Sequence, residues 1–278
     1  MNKIGGNEMK KNKIVWLISF LLVGIFVLIG CGQSEKAADN QENVDSLAAI
    51  KKAGTLKVGI EGTFPPFNFH DEKDQLKGFE VELAEAVAKK IGVKAEFVET
   101  KWDSLIAGLD VNKYDVVFNN VSVTEERQKK YDFTNPYAYS HATLAVKEDS
   151  EIKTLADLKG KKSAQTVSSN YAQDAEKLGA EVVPTDGFAQ SIELVLGNRA
   201  DGTVNDDVMF FYYQKEKPEN KIRLIDEAIA TSEIAAITNK NNPELTKAID
   251  GALAELKKEG ITSKLSITYF GKDITENK

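Results

Sequence analysis

A run of short hydrogen-bonding side chains, followed at once by charged residues, is the first place in this sequence where chemistry is indicated. Residues 119–124 read Asn-Asn-Val-Ser-Val-Thr, they follow an apolar segment at 115–118, and Arg127 comes three positions later. A strand that leads into a helix in this way presents unpaired N–H groups and a partial positive charge. Arg127 adds a planar guanidinium that can hold a carboxylate through two hydrogen bonds. The segment therefore predicts a site for a carboxylate or a phosphate.

The same residues also fit a purely structural interpretation. Thr124 or Ser122 could cap a helix, and Ser122 with Glu125 matches the capping-box pattern. Arg127 would then be a surface residue. A helix cap and an anion site can coexist, so both interpretations stay open.

The elements around this segment alternate between strands and helices. Residues 56–60 predict a strand, and residues 93–97 predict a half-buried strand. Between them, the spacing of Phe79, Leu83 and Val87 predicts an amphipathic helix that ends at Gly92 and carries Glu80 on its exposed face. This order is typical of an α/β fold with parallel strands, in which ligands bind at the carboxyl ends of the strands.

At three further places the side chains could either bind a ligand or serve only the structure. Trp102, at the mouth of a helix, is either core packing or the wall of a cleft. Residues 168–170 repeat the polar strand-to-helix arrangement and could also be an ordinary cap. Asp206 and Asp207, taken alone, are typical of a solvated turn, because a buried carboxylate is costly unless it meets a cation.

Composition and motifs argue against several classes of function. The net charge of −7 over 278 residues argues against a nucleic-acid surface, and the length allows one large domain or two modest ones. His70 and His141 are far apart, and neither a phosphate loop nor a serine-nucleophile elbow is present. We therefore expect no metal, no cofactor and no catalytic residue.

The N-terminal residues predict export and lipidation. Three lysines between positions 10 and 13 precede an apolar run at 14–29, which fits a signal peptide over residues 1–30. The run ends in a sequence that resembles the lipobox of bacterial lipoproteins, and Cys31, the only cysteine, would carry the lipid, for example palmitate. Residues 31–45 are polar and predict a flexible tether. Met9 is a second possible start of translation.

The region from Asn119 to Arg127, followed by Lys-Tyr-Asp-Phe-Thr-Asn-Pro-Tyr at 130–137, resembles the signature of extracellular solute-binding proteins for polar amino acids. These proteins are the capture components of ABC importers, and the resemblance extends over residues 54–273. The runs Glu-Gly-Thr-Phe-Pro-Pro-Phe at 61–67 and Thr-Lys-Trp-Asp at 100–103 are most similar to the cystine-binding branch.

The resemblance implies a monomeric protein of α/β class with a two-lobed, type II periplasmic-binding-protein fold. Each lobe would contain a mixed, mostly parallel sheet flanked by helices, and two hinge strands would connect the lobes. The implied boundaries are 46–142 together with 236–278 for lobe 1, and 143–235 for lobe 2.

The resemblance also implies a role for each candidate site residue. Glu61 and Asp206 would hold the ammonium group of an amino acid, Arg127 would hold its carboxylate, and Phe64 and Trp102 would cover its side chain. The remaining hydrogen-bonding residues would be Asn119, Asn120, Ser122, Ser169 and Asn170. Many members of the family carry Gly-Thr where this sequence has Ser-Ser-Asn at 168–170, so the individual roles there differ from the family pattern.

The expected function is capture of L-cystine, or cysteine, by hinge closure and delivery to an ABC permease and its ATPase at the outer face of the bacterial membrane. Another polar amino acid such as glutamine, arginine or histidine is an alternative ligand. A secreted prephenate- or arogenate-type dehydratase, with Glu61 as general acid or base, is an alternative of a different class. The lipid anchor and the lack of a catalytic pair argue against it. A sensing module would continue beyond Lys278 into a membrane and signalling region.

Overall fold

The computed structural model describes residues 46–240 and 242–277. The predicted signal peptide, the tether and the lipidated Cys31 lie outside the described residues. Within the described part, no helix has the length and apolar character needed to cross a membrane.

The described chain alternates between short strands and helices. The strands are β1 Thr55–Ile60, β2 Thr63–Phe64, β3 Asn68–His70, β4 Leu76–Lys77, β5 Lys94–Glu99, β6 Val116–Val117, β7 Tyr131–Phe133, β8 Ala138–Lys147, β9 Lys162–Gln165, β10 Glu181–Pro184, β11 Gly202–Asp206, β12 Ile222–Leu224, β13 Ala230–Ile234 and β14 Ile237–Asn239. The helices are α1 Ser46–Ala53, α2 Phe79–Ile91, α3 Trp102–Leu105, α4 Glu125–Lys130, α5 Asn170–Lys177, α6 Phe188–Leu196, α7 Asp207–Glu216, α8 Pro243–Lys258 and α9 Ile261–Phe270, with 3-10 turns at Ile106–Gly108 and Leu155–Leu158.

Two mixed sheets organise these elements. The first has the order β5-β1-β6-β14-β7, and the second has the order β10-β9-β11-β8-β12 with β13 also paired to β8. Strand β1 lies between β5 and β6 and is parallel to both. In the second sheet, β9 lies between β10 and β11 and is parallel to both. A separate small sheet, β2-β3-β4, lies next to the end of β1.

The sheets contain more antiparallel pairs than the sequence predicted. Strand β8 is antiparallel to β11, β12 and β13, and β14 is antiparallel to β6 and β7. The physical reason is that β8 and β14 are the segments that carry the chain out of one sheet and back into it. The α/β prediction is confirmed, but the parallel strands are limited to the βαβ part of each sheet.

Two extended segments connect the sheets. β8 and β13 pair with each other from Ala138 opposite Ile234 to Ala142 opposite Ala230. β8 therefore runs across the predicted boundary between residues 142 and 143. The boundaries of the two lobes stay predictions.

The predicted amphipathic helix is α2, and one of its expected side-chain positions is wrong. Phe79, Leu83 and Val87 are fully buried, and Gly92 ends the helix in the left-handed conformation, as its position predicted. Glu80, however, is 0% exposed rather than on the solvent face. The first turn of α2 is covered by the segment around Asn68 and by the end of β6, which helical periodicity cannot show.

The helix after β6 begins where predicted, and Thr124, one of the two residues predicted as its cap, is the N-cap. The Thr124 hydroxyl accepts a hydrogen bond from the Arg127 N–H at 3.2 Å. Ser122 lies too early to cap α4, so the capping box with Glu125 is wrong. Its backbone instead forms a bridge with Ile234 of the returning segment.

Candidate functional site

A cavity lies between the two sheets, at the carboxyl ends of several parallel strands. Strand β1 leads to it from one sheet, and β9 and β11 lead to it from the other. Seven of the predicted site residues line it: Glu61, Phe64, Trp102, Asn119, Asn120, Ser169 and Asn170. Ser122, Arg127 and Asp206 do not line the cavity but lie against residues that do, through contacts described below.

The cavity also has lining residues that the sequence did not single out as site residues. They are Gln165, Thr166, Tyr171, Gly187, Phe188, Ser191 and Asn205. Gln165 and Asn205 belong to the carboxyl ends of β9 and β11, so the strand-end rule could have found them. Phe188 and Ser191 lie on α6, and their sequence context contains no comparable signal.

Glu61 and Asn119 form a reciprocal pair on one side of the cavity. The Glu61 N–H donates to Asn119 Oδ1 at 2.8 Å, and Asn119 Nδ2 donates to the Glu61 carboxylate at 2.8 Å. Asn68 also donates to Asn119 Oδ1, at 3.1 Å, and to the Glu80 carboxylate at 3.0 Å. Two buried amides thus connect two carboxyl groups.

Burial dominates the titration of both carboxyl groups. Desolvation raises the pKa of Glu61 from its ordinary 4.5 to about 7, against the opposing effect of its bond from Asn119. Desolvation likewise raises the pKa of Glu80 to about 7, although Tyr137, Asn120 and Asn68 all donate hydrogen bonds to it. Among the described residues, neither carboxyl group faces a cation that would offset the cost of burial.

Asp206 is a fully buried carboxylate at the end of β11. Its exposed fraction is 0%, and Asn120 Nδ2 donates to its Oδ2 at 2.6 Å. Burial raises the pKa of Asp206, while the neighbouring Tyr171, Asn120 and Ser140 side chains lower it. The two adjacent acids, which alone are typical of a solvated turn, therefore have different surroundings. Asp206 is buried, whereas Asp207 is half-buried and lies 3.5 Å from the Lys272 ammonium.

The second oxygen of Asp206 belongs to a cluster of unpartnered polar atoms. Asp206 Oδ1, Asn120 Oδ1, the Ser122 and Ser140 hydroxyls and the Tyr171 hydroxyl are all buried without a hydrogen bond of normal geometry. Tyr171 and Ser140 are close enough to Asp206 to favour its charged form. Polar groups without partners are costly to bury, which makes this cluster a candidate for interaction with a ligand.

Arg127 is a half-buried cation that has no carboxylate partner in the described part of the chain. Its guanidinium donates to the Ser122 carbonyl at 2.9 Å and lies 5.3 Å from the centre of the Trp102 ring. Burial lowers the pKa of Arg127, and Tyr171 and Glu126 partly oppose that effect. Since Trp102 lines the cavity, the guanidinium lies directly behind its wall.

Aromatic side chains from both sides enclose the cavity. Phe64 stacks on Phe67 with ring centres 5.7 Å apart, and its other contact is an edge-to-face one with Phe188 at 6.3 Å. Phe67 itself is fully buried. Phe69 is half-buried, and its ring centre lies 6.3 Å from that of Tyr212.

Polar contacts close the rim of the cavity. Lys101 forms an ion pair with Asp186 at 3.0 Å, and the Ser168 hydroxyl donates to Asp103 at 2.5 Å. Both bonds join the segment after β5 to residues of the second sheet's lobe. Ser169 meanwhile caps α5, because its hydroxyl accepts from the Ala172 N–H at 3.1 Å.

The described residues contain no group of three or more metal-ligating side chains. The convergent groups are instead the half-buried cation of Arg127, the carboxyl groups of Glu61 and Asp206, and neutral hydrogen-bonding side chains. This set is suited to binding a small polar molecule that carries both charges.

The stability of the protein is expected to fall as the pH rises from 5 to 8. Because the pKa values of Glu61 and Glu80 are about 7 in the folded state and 4.5 when exposed, the folded state binds more protons in this range. Stability then decreases with pH. Calorimetry is expected to give a melting temperature on the order of 5 °C higher at pH 5 than at pH 8.

Glu61→Gln provides the control for this pH effect, since an amide at this position does not titrate. The variant should melt at a temperature that changes less between the two pH values. A wild-type protein that is more stable at pH 8 than at pH 5 would contradict the assignment of buried, unpaired carboxyl groups.

The fold and the cleft define a two-lobed solute-binding protein of the type II periplasmic class. The sequence pattern of the bacterial extracellular solute-binding proteins, family 3, matches residues 56–272. The chain belongs to this family, as the resemblance had implied. Its members act outside the cytoplasm, and those related to this chain are named as binding proteins rather than as enzymes.

Three known proteins illustrate the similarity. The L-cystine-binding protein TcyA of Bacillus subtilis is 38% identical over 264 residues, which cover 94% of this chain and 98% of that protein. An ancestral arginine-binding protein bound to arginine has a TM-score of 0.75 at 38% identity, covering 78% and 99% of the two chains. The L-cystine solute receptor of Neisseria gonorrhoeae, in an unliganded open conformation, has a TM-score of 0.58 at 42% identity, covering 83% and 99%.

Proposed function

We propose that this protein is the substrate-binding component of an amino-acid ABC importer, that it captures L-cystine or cysteine, and that it delivers the ligand to a membrane permease and its ATPase. The observation that carries the amino-acid part is the pair of uncompensated charges at the cavity. Asp206 has a buried, unpartnered carboxylate oxygen, and Arg127 is a half-buried cation without a carboxylate partner among the described residues. In an α-amino acid the ammonium and carboxylate groups, which carry the two complementary charges, are bonded to the same carbon atom.

The two charges are held apart by the architecture, so they do not neutralise each other. Asp206 lies behind Asn120, and Arg127 lies behind Trp102, and both of these intermediate residues line the cavity. A bound ammonium would pair with Asp206 Oδ1 and the neighbouring hydroxyls, and a bound carboxylate would pair with the guanidinium. Glu61 adds a second carboxyl group for the ammonium side.

Closure of two lobes around the hinge strands β8 and β13 would trap the ligand. We take the lobes as residues 46–142 with 236–278, and 143–235. The higher TM-score with the arginine-bound protein than with the open cystine receptor, at similar identity, supports a closed arrangement here. Small-angle scattering of ligand-stripped protein is expected to show a decrease in radius of gyration when ligand is added, and an unchanged radius would contradict hinge closure.

The preference for cystine is supported by similarity and by the composition of the cavity. TcyA, 38% identical over nearly the whole chain, is named for L-cystine. The cavity is also lined by Thr166, Asn170 and Ser191, whose polar side chains can bind the second zwitterionic end of cystine. Phe64 and Phe188 would then lie along the disulfide, and sulfur packs favourably against aromatic rings.

The proposal is tested by thermal unfolding of ligand-stripped protein against the common amino acids and L-cystine, followed by calorimetry. A ligand at 100 times its dissociation constant stabilises the folded state by about 2.7 kcal/mol, which is a readily measured shift. We expect a shift with L-cystine, and a weaker one or none with glutamine, arginine and histidine.

The outcomes separate the two parts of the proposal. A shift with another polar amino acid and none with cystine would retain amino-acid capture and reject the cystine assignment. No shift with any amino acid would contradict the capture function itself. Repetition with L-cysteine under reducing conditions distinguishes the disulfide from the thiol.

We also propose that Cys31 carries a lipid that anchors the protein to the outer face of the cell membrane. The support is the basic and apolar N-terminal segment that ends at the only cysteine of the chain. Mass spectrometry of the mature protein from its bacterial host should give an N-terminal fragment that begins at Cys31 and carries acyl groups. An unmodified cysteine in that fragment would contradict the anchor.

A further inference from the structure

Glu80 is a carboxyl group that the site described above does not use directly. It lies in the first turn of α2, is 0% exposed, and has no cation within ion-pair distance in the described chain. A buried carboxylate of this kind is expensive, so its retention at this position calls for a role that a hydrophobic side chain could not fulfil.

The hydrogen bonds of Glu80 connect three segments that meet beside the cavity. Its Oε1 accepts from the Asn120 backbone N–H at 2.5 Å and from the Tyr137 hydroxyl. Its Oε2 accepts from Asn68 Nδ2 at 3.0 Å. Three donors converge on one group, and only an ionised carboxylate can accept from all of them without presenting a proton of its own.

The bond to Asn120 has a direct geometric consequence. Asn120 has a φ of 48°, in the left-handed region that few residues other than glycine adopt, so its peptide orientation needs an external restraint. Glu80 supplies that restraint at the N–H. In this orientation the Asn120 side chain donates to Asp206 at 2.6 Å.

We propose that Glu80 is a positioning residue for the ligand site, which holds Asn120 in its left-handed conformation so that Asn120 can orient Asp206 beside the cavity. The inference rests on the proposed function of that site. Through Asn68 and Asn119 the same carboxylate also supports Glu61. Glu80 also accepts a hydrogen bond from the hydroxyl of Tyr137, whose N–H donates to the Ile234 carbonyl at 2.9 Å. Glu80 is thereby connected to the segments β8 and β13, which link the two sheets.

The test compares Glu80→Gln and Glu80→Ala with Val87→Ala in the purified full-length chain. Val87 is fully buried on the same helix but lies in the hydrophobic core, so its truncation destabilises α2 without a change at Asn120. Binding of the amino acid that stabilises the wild type is measured by calorimetry at a temperature where all variants are folded. We expect affinity to fall at least about tenfold in Glu80→Gln and further in Glu80→Ala, and to change less than about twofold in Val87→Ala.

A purely structural role gives a different result. Glu80→Ala would then lose melting temperature as Val87→Ala does, while both retain wild-type affinity, and that outcome would overturn the proposal. The backbone amide of Asn120 provides a readout that does not depend on ligand. Its proton resonance is expected far downfield, to move as the pH is varied through 7 with the titration of Glu80, and to lose both properties in Glu80→Gln but not in Val87→Ala.

This second readout keeps the two proposals separate. If the wild type binds no amino acid, the proposed function fails, while the Asn120 resonance still reports on Glu80. The titratable groups that face Glu80 are Glu61 and Tyr137, and Glu61→Gln identifies which carboxyl group the resonance follows. An Asn120 resonance that is the same in Glu80→Gln and in the wild type would overturn the positioning role.

Discussion

Asp206→Asn is expected to weaken amino-acid binding at least about a hundredfold while leaving the ligand-free protein equally or more stable. The loss of affinity follows because the ligand's ammonium would be buried without its counter-charge, which costs about 3 kcal/mol. The gain in stability follows because the substitution removes a fully buried carboxylate whose Oδ1 has no partner. Calorimetry measures the affinity, and thermal unfolding of stripped protein measures the stability.

Asp207→Asn is the matched control, since it removes the adjacent carboxylate. Asp207 is half-buried, its side chain bonds to the Val208 N–H at 2.8 Å, and it lies outside the cavity. We expect affinity within about twofold of the wild type. If both substitutions lower affinity equally, the effect is one of overall charge and the specific role of Asp206 is rejected. A lower melting temperature for stripped Asp206→Asn would show that the carboxylate is compensated within the protein.

Gly78→Ala is expected to destabilise the protein by about 4 kcal/mol, and to lower its melting temperature by roughly 10 °C. Gly78 precedes α2 and has a φ of +135°, a conformation that residues with a Cβ rarely adopt. An added Cβ would also overlap the Phe67 carbonyl oxygen and lie 2.6 Å from the Phe67 carbonyl carbon. That carbonyl accepts the Glu80 N–H at 2.9 Å, so the substitution would displace the start of α2.

Gly251→Ala is the control for the loss of a glycine as such. Gly251 lies inside α8, and no atom lies within 4 Å of an added Cβ. Alanine should therefore stabilise the helix by about 0.5–1 kcal/mol. Chemical denaturation of the two variants is expected to move the midpoint in opposite directions. A Gly78→Ala protein with the wild-type midpoint would show that the turn before α2 can adapt.

The sequence by itself determined the local elements and the family. The spacing of Phe79, Leu83 and Val87 predicted α2, whose apolar face is buried, and the alternation of strands and helices predicted the α/β class. The polar run at 119–124 and the residues after it were sufficient to indicate the family that the sequence pattern of residues 56–272 then showed. These features are local, so a short window of sequence contains the physical information that fixes them.

Only the tertiary structure decided which side chains meet and which charges remain without partners. Glu80 follows Phe79 in the helix and was expected in solvent, but the chain segments around Asn68 and Asn120 cover it. Asn120 and Asp206 are 86 positions apart, and their hydrogen bond exists because strand ends from two sheets converge at one cavity. Burial and desolvation depend on everything that packs around a group. The sequence could therefore propose Asp206 and Arg127, but it could not show that Asp206 is fully buried, that Arg127 is half-buried, or that neither forms an ion pair among the described residues.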